Sequence, residues 1–159
     1  MSVELTSDQV WREIEKRIFA VLGTVNRKGQ PRTVGIVYAV KDKYLFIATS
    51  PSTVKAKNVQ ENPHVSLTVT IDKRIPFLGW IKIPPATVTF NGEATLHGQN
   101  EIDADIQKKL LGYLKLSNEA RANTVYIKVK PVGHFFTYGL GVSLRTMLRP
   151  EEAWARVAV

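Results

Sequence analysis

The chain has 159 residues, of which 44% are hydrophobic and 23% are charged, so we expect one globular domain over residues 1–159 and exclude extended disorder. Lysine and arginine outnumber aspartate and glutamate by 22 to 14, and because the basic residues are scattered, the net charge of +8 favours a phosphate-bearing small molecule over nucleic acid. The lack of cysteine excludes disulfides, thiolate nucleophiles and cysteine-ligated zinc, while a polar N-terminus (1–9) and the absence of a long apolar run predict a cytoplasmic protein without a membrane span.

The first part of the sequence predicts a helix followed by three strands. Val10, Ile14 and Ile18 recur at four-residue spacing after a capping box formed by Thr6 and Gln9, which predicts an amphipathic helix that ends near residue 17. Three apolar and β-branched runs follow with short polar turns between them. They predict an antiparallel meander with strands at 19–25, 33–40 and 44–48.

The remaining elements complete a mainly β pattern. Residue periodicity predicts a helix at 53–61, strands at 65–71 and 86–96, a helix at 102–116, a polar link at 118–123, and a last strand from Val125 that bends at Pro131 and Gly133. Strands and helices do not alternate one by one, so a parallel sheet is not expected. Six antiparallel strands with short helices between them predict a small barrel.

A hydroxyl-rich stretch at the start of the second helix has the composition of a phosphate site. Thr49 and Ser50 end a strand, Thr53 precedes the helix, and Lys55 and Lys57 lie near its first turn. Free N–H groups at a helix start bind phosphate together with hydroxyl and lysine donors, and each charge-assisted hydrogen bond contributes about 1.5–3 kcal/mol. The same residues also suit an ordinary capped helix with two solvated lysines, so composition alone leaves both interpretations open.

Several short motifs occur in a fixed order around this stretch. They are YLFIAT at 44–49, STVKAKNV at 52–59 and ENPHVSL at 61–67, with Gly-Gln-Pro at 29–31 before them and Asn-Gly-Glu-Ala at 91–94 after them. Together they resemble the pyridoxamine 5′-phosphate oxidase-like family of flavin-binding split-barrel proteins, over roughly residues 8–137. Each motif is short, but their order and spacing make the resemblance specific.

The resemblance implies a six-stranded antiparallel split β-barrel that binds flavin mononucleotide (FMN) at the interface of a homodimer. The family's cofactor contacts fall here on Thr49, Ser50, Thr53 and Lys55 for the phosphate, Lys57 for a second basic contact, and Thr33 and Val34 for the isoalloxazine ring. The implied function is that of an FMN-dependent oxidoreductase with an unknown small-molecule substrate. A deazaflavin-dependent reductase and a non-catalytic flavin-binding module are alternatives, and haem binding, also known in the family, ranks below them.

The chain departs from the pattern of the oxidase itself. Thr33 and Tyr38 stand where the oxidase has an arginine and a lysine, and the C-terminal tail lacks its Arg-x-His substrate motif, which argues against oxidation of pyridoxamine phosphate. The three histidines lack metal-ligand spacing, so no metal site is expected. The apolar segment 75–83 suits packing in a dimer interface first, pocket lining second and membrane-surface contact third.

Overall fold

The computed structural model describes residues 4–73 and 83–159, which contain five α-helices and eight strands. The helices are α1 (Ser7–Glu15), α2 (Val54–Glu61), α3 (Ala104–Tyr113), α4 (Asn118–Ala122) and α5 (Leu144–Met147). The strands are β1 (Phe19–Val25), β2 (Pro31–Val37), β3 (Ala39–Lys41), β4 (Tyr44–Thr49), β5 (His64–Ile71), β6 (Ala86–His97), β7 (Val125–Tyr138) and β8 (Trp154–Ala158). The apolar segment 75–83 lies, except for its last residue, outside the described residues, so its role stays a prediction.

The eight described strands form one antiparallel sheet that curls into a barrel. Their order is β2-β1-β5-β6-β7-β4-β3, and β8 pairs with β7 outside this path. The two ends of the path, β2 and β3, are consecutive in the chain and are separated only by Tyr38, so the chain itself closes the ring. Since β2 and β4 do not pair within residues 4–73 and 83–159, the barrel is split between these two strands.

The predicted antiparallel split-barrel fold is confirmed, but the described residues contain eight strands rather than six. The predicted second strand, 33–40, is divided into β2 and β3 at Tyr38, whose buried hydroxyl donates a hydrogen bond to the Ile14 carbonyl oxygen of α1 at 2.7 Å. The predicted tail contains β8, in which Trp154 and Arg156 face outward while the alternate residues are buried. Both differences depend on contacts between segments that are distant in the chain.

The helices also differ from their predicted bounds. Helix α1 ends at Glu15, and because the chain then enters β1, Ile18 does not join its apolar face and is 48% exposed. The expected polar link at 118–123 forms α4, capped by Ser117, which accepts a hydrogen bond from the Ala120 N–H. The bend predicted in the last strand is confirmed, since the pairing of β7 with β6 shifts register around Gly133, where φ is +75°.

The inner side of the sheet forms the main hydrophobic core. Its alternating residues, such as Leu22, Leu67 and Val88, are fully buried, and α1 adds Trp11, whose ring meets that of Phe135 edge-on at 5.5 Å. Burying this apolar side is the main source of stability in such a sheet. The packed interior also holds the two edges of the split in place.

Candidate functional site

The split between β2 and β4 opens a groove made of three adjoining cavities. The cation cavity, of about 210 Å³, is lined by Thr24, Arg32, Thr33, Val34, Thr53, Val54 and Lys55. The central cavity, of about 240 Å³, is lined by Phe19, Gly35, Ile36, Val37, Ile47, Ala48, Lys55 and Leu114. The helical cavity, of about 410 Å³, is lined by Ala48, Thr49, Ser50, Leu114, Leu116, Ser117, Glu119, Ala120, Asn123 and Thr124. Lys55 borders the first two cavities, and Ala48 and Leu114 border the last two, so we call the three together the split groove.

Strand register brings Arg32 to the cation cavity. Arg32 and Val34 of β2 pair with Thr24 and Leu22 of β1, which are both buried, and paired residues project to the same side of a sheet. Arg32 and Val34 therefore lie on the inner side of the sheet, where α2 packs against β1, and Arg32 is exposed there because β2 borders the split. Helix α2 adds Lys55 to the same cavity, so two positive side chains line it and no carboxylate of the described residues does.

Lys55 carries a partly buried positive charge. Lys55 is half-buried, and neither it nor Arg32 forms an ion pair with any residue that the structure describes. Burial lowers the pKa of Lys55 below its ordinary value of 10.5, because the ammonium group loses part of its hydration. A bound anion compensates for that loss, so the cavity suits a phosphate or carboxylate group.

The hydroxyl groups that precede α2 hydrogen-bond with one another. Thr53 is the N-cap residue; its hydroxyl accepts from the Ala56 N–H at 3.4 Å and donates to the Ser50 carbonyl oxygen at 2.8 Å. Because this donation uses the single hydroxyl proton of Thr53, Thr49 is the donor in the 3.0 Å contact between the two threonine hydroxyls. The Ser50 and Ser52 hydroxyls also contact each other at 2.8 Å, which uses one of their two protons. The donors left for an anion are therefore the first-turn N–H groups other than that of Ala56, one serine hydroxyl and the Lys55 ammonium group.

A buried polar chain fixes the position of α2 relative to β2. The Asn58 side-chain amide donates to Thr24 Oγ1 at 2.9 Å, and the Thr24 hydroxyl donates to the Arg32 carbonyl oxygen at 3.5 Å. Asn58 is 6% exposed and Thr24 is 2% exposed, so water does not replace these contacts. The chain links the helix that carries Lys55 to the strand that carries Arg32.

The central cavity is mostly apolar apart from Lys55, and Phe19 packs against Gly35 in its wall. A Cβ atom on Gly35 would lie 2.9 Å from the ring of Phe19, so the ring packs directly against the glycine backbone. Ile36, Val37 and Ile47 add aliphatic walls. A cavity of this composition favours a planar aromatic group.

The structure brings six of the seven predicted cofactor contacts close together. Thr33, Val34, Thr53 and Lys55 line the cation cavity. Thr49 and Ser50 line the helical cavity, but the Thr49 hydroxyl and the Ser50 carbonyl oxygen both contact the Thr53 hydroxyl. Lys57 is exposed and lines none of the three cavities. Residues two apart on a helix do not share a face, which explains why the two lysines diverge.

Sequence reasoning missed Arg32. The available signal was its pairing with the buried Thr24 across two strands. Placing Gly23 opposite Thr33 by aligning the predicted hairpin would have revealed this register, and with it the position of Arg32 on the inner side of the sheet.

The outer side of the sheet carries exposed aromatic residues, and we call it the outer face. One row of paired residues crosses six strands and consists of Gly35, Val21, Thr68, Thr89, Phe136 and Arg156. Phe19 and Phe136 are each 47% exposed, and Trp154 is 54% exposed. Since Phe19 also lines the central cavity, the outer face and the split groove meet at this residue.

The described helices include none with the length and apolar character needed to cross a membrane. No curated protein matches the sequence.

Three solved structures share the fold at low sequence identity. HutZ, the heme storage protein from Vibrio cholerae, has a TM-score of 0.67 at 16% identity, with 87% of this chain and 98% of HutZ covered. An F420 reductase has a TM-score of 0.58 at 21% identity, with 78% and 93% covered. A FAD-binding protein from Mesorhizobium loti has a TM-score of 0.61 at 17% identity, with 80% and 90% covered. At these identities the similarity shows a common fold and no more.

A sequence profile described as pyridoxamine 5′-phosphate oxidase matches residues 6–138. This match covers most of the chain and includes β1 to β6, α2 and the whole of β7. The split barrel, the motifs around α2 and the profile agree: the chain belongs to the pyridoxamine 5′-phosphate oxidase family.

Proposed function

We propose that this protein is a flavin-dependent oxidoreductase that binds FMN in the split groove, with a small-molecule substrate. The observation that carries the proposal is the cation cavity, in which Arg32 and Lys55 lie beside the free N–H groups of α2 without a carboxylate in the wall. The FMN phosphate supplies the anion, and the adjoining apolar cavity receives the isoalloxazine ring. A FAD-binding protein and an F420 reductase with the same fold support a flavin-type ligand.

Each predicted contact has a place in this proposal. Lys55 and Arg32 bind the phosphate, and Thr33 and Val34 border it on β2, while Thr53 holds the start of α2 in position. Thr49 and Ser50 hold the Thr53 hydroxyl through their hydrogen bonds, and Lys57 acts only through long-range attraction. When bound, the flavin supplies the electron transfer, and the residues of the protein bind it, orient it and exclude water.

The proposal includes a homodimer that forms through the outer face. Phe19, Phe136 and Trp154 expose aromatic surface on a continuous sheet, which is the kind of surface that a second copy covers. Because Phe19 also borders the central cavity, the second copy would close that edge of the split groove. We expect a dimer by light scattering after size exclusion and a monomer for Phe136→Glu; a wild-type monomer at micromolar concentration would contradict this part of the proposal.

The cofactor is tested by titrating the purified protein with FMN and following flavin fluorescence and the visible spectrum. Saturable binding with shifted absorption bands supports the proposal, and reduction of the bound flavin by NADH, NADPH or a reduced deazaflavin supports an oxidoreductase. A flavin that binds but accepts electrons from none of these donors indicates the non-catalytic flavin-binding module. Absence of FMN binding contradicts the proposal, and the deazaflavin F420 and haem are then titrated in the same way.

Pyridoxamine phosphate is not the proposed substrate. The C-terminal strand β8, Trp154–Ala158, contains Arg156 but no histidine two residues later. Without the Arg-x-His pair, the chain lacks the contacts that would bind the phosphate group of pyridoxamine phosphate. We expect no turnover of pyridoxamine phosphate under conditions in which the bound flavin is reduced by a nicotinamide donor.

A further inference from the structure

We infer that the helical cavity is a second binding site, which takes the polar end of an uncharged or cationic aromatic molecule and disfavours anions. The inference rests on the proposed function only where it calls this molecule the substrate. The cavity borders the central cavity through Ala48 and Leu114, and neither Arg32 nor Lys55 lines it. A substrate that exchanges electrons with a ring in the central cavity must contact that ring, and the helical cavity provides adjoining space.

The charges of the split groove are divided between its two ends. Arg32 and Lys55 line the cation cavity, and the charged residue in the wall of the helical cavity is Glu119 of α4. Glu119 forms no ion pair with a residue in 4–73 or 83–159. An anion that fits the first end is therefore repelled at the second, while a cation or a hydrogen-bond donor is attracted there.

Two uncharged groups of the helical cavity accept hydrogen bonds from a ligand but cannot donate them. The Thr49 hydroxyl donates its proton to Thr53, and the Thr124 hydroxyl donates its proton to the Ala120 carbonyl oxygen at 2.7 Å. Both oxygens therefore offer only lone pairs to a ligand. With the Glu119 carboxylate they form three acceptors that complement an amine, an amidine or an amide N–H. The other polar side chains of this wall, Ser50, Ser117 and Asn123, can accept as well as donate, so the Glu119 charge decides the preference.

The α3–α4 segment makes this site separable from the cofactor site. The segment lies between β6 and β7 and contributes the wall that carries Glu119 and Ser117, whereas the cation cavity is built from β1, β2 and α2. Substitutions on α4 can therefore change the second site without touching the residues proposed to bind phosphate.

The test uses three nearly isosteric probes that differ in charge: benzamidinium, benzamide and benzoate. Their dissociation constants are measured on the FMN-loaded protein by ligand-observed NMR or calorimetry. We expect benzamidinium to bind about tenfold more tightly than benzamide, and benzoate to bind most weakly. Glu119→Gln should weaken benzamidinium binding to the level of benzamide and leave benzamide within about twofold. Glu15→Gln, which removes the same charge from an exposed position on α1, should change neither.

The outcomes separate this inference from the proposed function. If FMN binds, three results overturn the second site and leave the cofactor assignment standing. They are equal affinities for the three probes, no binding of any probe, and an unchanged preference for benzamidinium in Glu119→Gln. Absence of FMN binding combined with a Glu119-dependent preference for benzamidinium overturns the cofactor assignment and supports the second site as a cation-binding cavity.

Discussion

Replacing Lys55 with glutamine has opposite expected effects on cofactor binding and on the stability of the unliganded protein. Glutamine keeps most of the length of the lysine side chain and can still donate a hydrogen bond, but it carries no charge. In the protein without cofactor, the Lys55 ammonium group is partly desolvated and has no described acidic partner, and its pKa is lowered for that reason. A purely structural lysine would instead stabilise the fold.

The magnitude follows from the proposed contact with phosphate. A hydrogen bond from a charged donor contributes about 1.5–3 kcal/mol, so its loss raises the FMN dissociation constant by about 10- to 150-fold. Arg32 and the α2 N–H groups remain, so binding is weakened rather than abolished. Without FMN, the melting temperature of Lys55→Gln should equal or slightly exceed that of the wild type, because the desolvation cost is removed.

The assay is fluorescence titration with FMN at fixed ionic strength, together with thermal unfolding of the unliganded protein. Lys57→Gln is the matched control, because Lys57 is on the same helix, carries the same charge and lies outside the split groove. We expect the control to change the dissociation constant by less than about threefold, as for a solvated charge. An unchanged dissociation constant in Lys55→Gln, or equal effects of the two substitutions, would refute the assignment of the phosphate to the cation cavity.

Three further substitutions test neighbouring features. Since burial lowers the pKa of Lys55, the FMN dissociation constant of the wild type should rise as the pH increases toward 10.5. Lys55→Arg keeps its charge over this range and should show a flatter pH profile. Identical pH profiles of the two proteins would contradict this expectation. Asn58→Leu leaves the buried Thr24 hydroxyl oxygen without its amide donor and should lower the free energy of unfolding by about 1–3 kcal/mol in urea, together with weaker FMN binding; a loss of stability with unchanged binding would refute its positioning role. Burial raises the pKa of Tyr38 far above its ordinary value of 10.0. The phenol therefore ionises at a lower pH in the unfolded chain than in the folded protein. The stability that the neutral phenol contributes is lost as the pH rises above 10.0. Tyr38→Phe removes a hydrogen bond, costing about 0.5–1.5 kcal/mol at neutral pH, and should unfold with less sensitivity to alkaline pH; parallel alkaline profiles of the two proteins would count against this account.

Strand positions followed from local sequence wherever one side of a strand is buried. In β5, Val65, Leu67 and Val69 are buried and alternate with more exposed hydroxyl residues, and that alternation identifies the strand without any knowledge of its partners. The division at Tyr38 leaves no such signal, because the run from Thr33 to Val40 is mostly apolar and contains no polar turn residue. Its break is caused by a hydrogen bond to α1, which lies 24 residues earlier in the chain.

The candidate site was predictable as a list of residues but not as an arrangement. The resemblance located Lys55 and Thr53 because their motif is local, and both line the cation cavity. It could not show that Thr49 also lines the helical cavity, since that depends on how α3 and α4 pack near the end of β4. Arg32 was missed for the same reason: its place beside the cation cavity is set by pairing with β1, and no feature of its own neighbourhood distinguishes it from the other basic residues.

Strand β7 links the formation of the groove to the order of synthesis. Its first five residues, 125–129, pair with β4, and its last five pair with β8, while β6 runs along nearly its whole length. Strands β2 and β4 and helix α2 emerge from the ribosome long before it, yet β4 lacks its neighbour on one side until β7 arrives. Long-range pairings of this kind form late because loop closure must precede them. A nascent chain stopped before Val125 therefore carries all seven predicted cofactor contacts and still lacks a closed barrel to hold the cofactor.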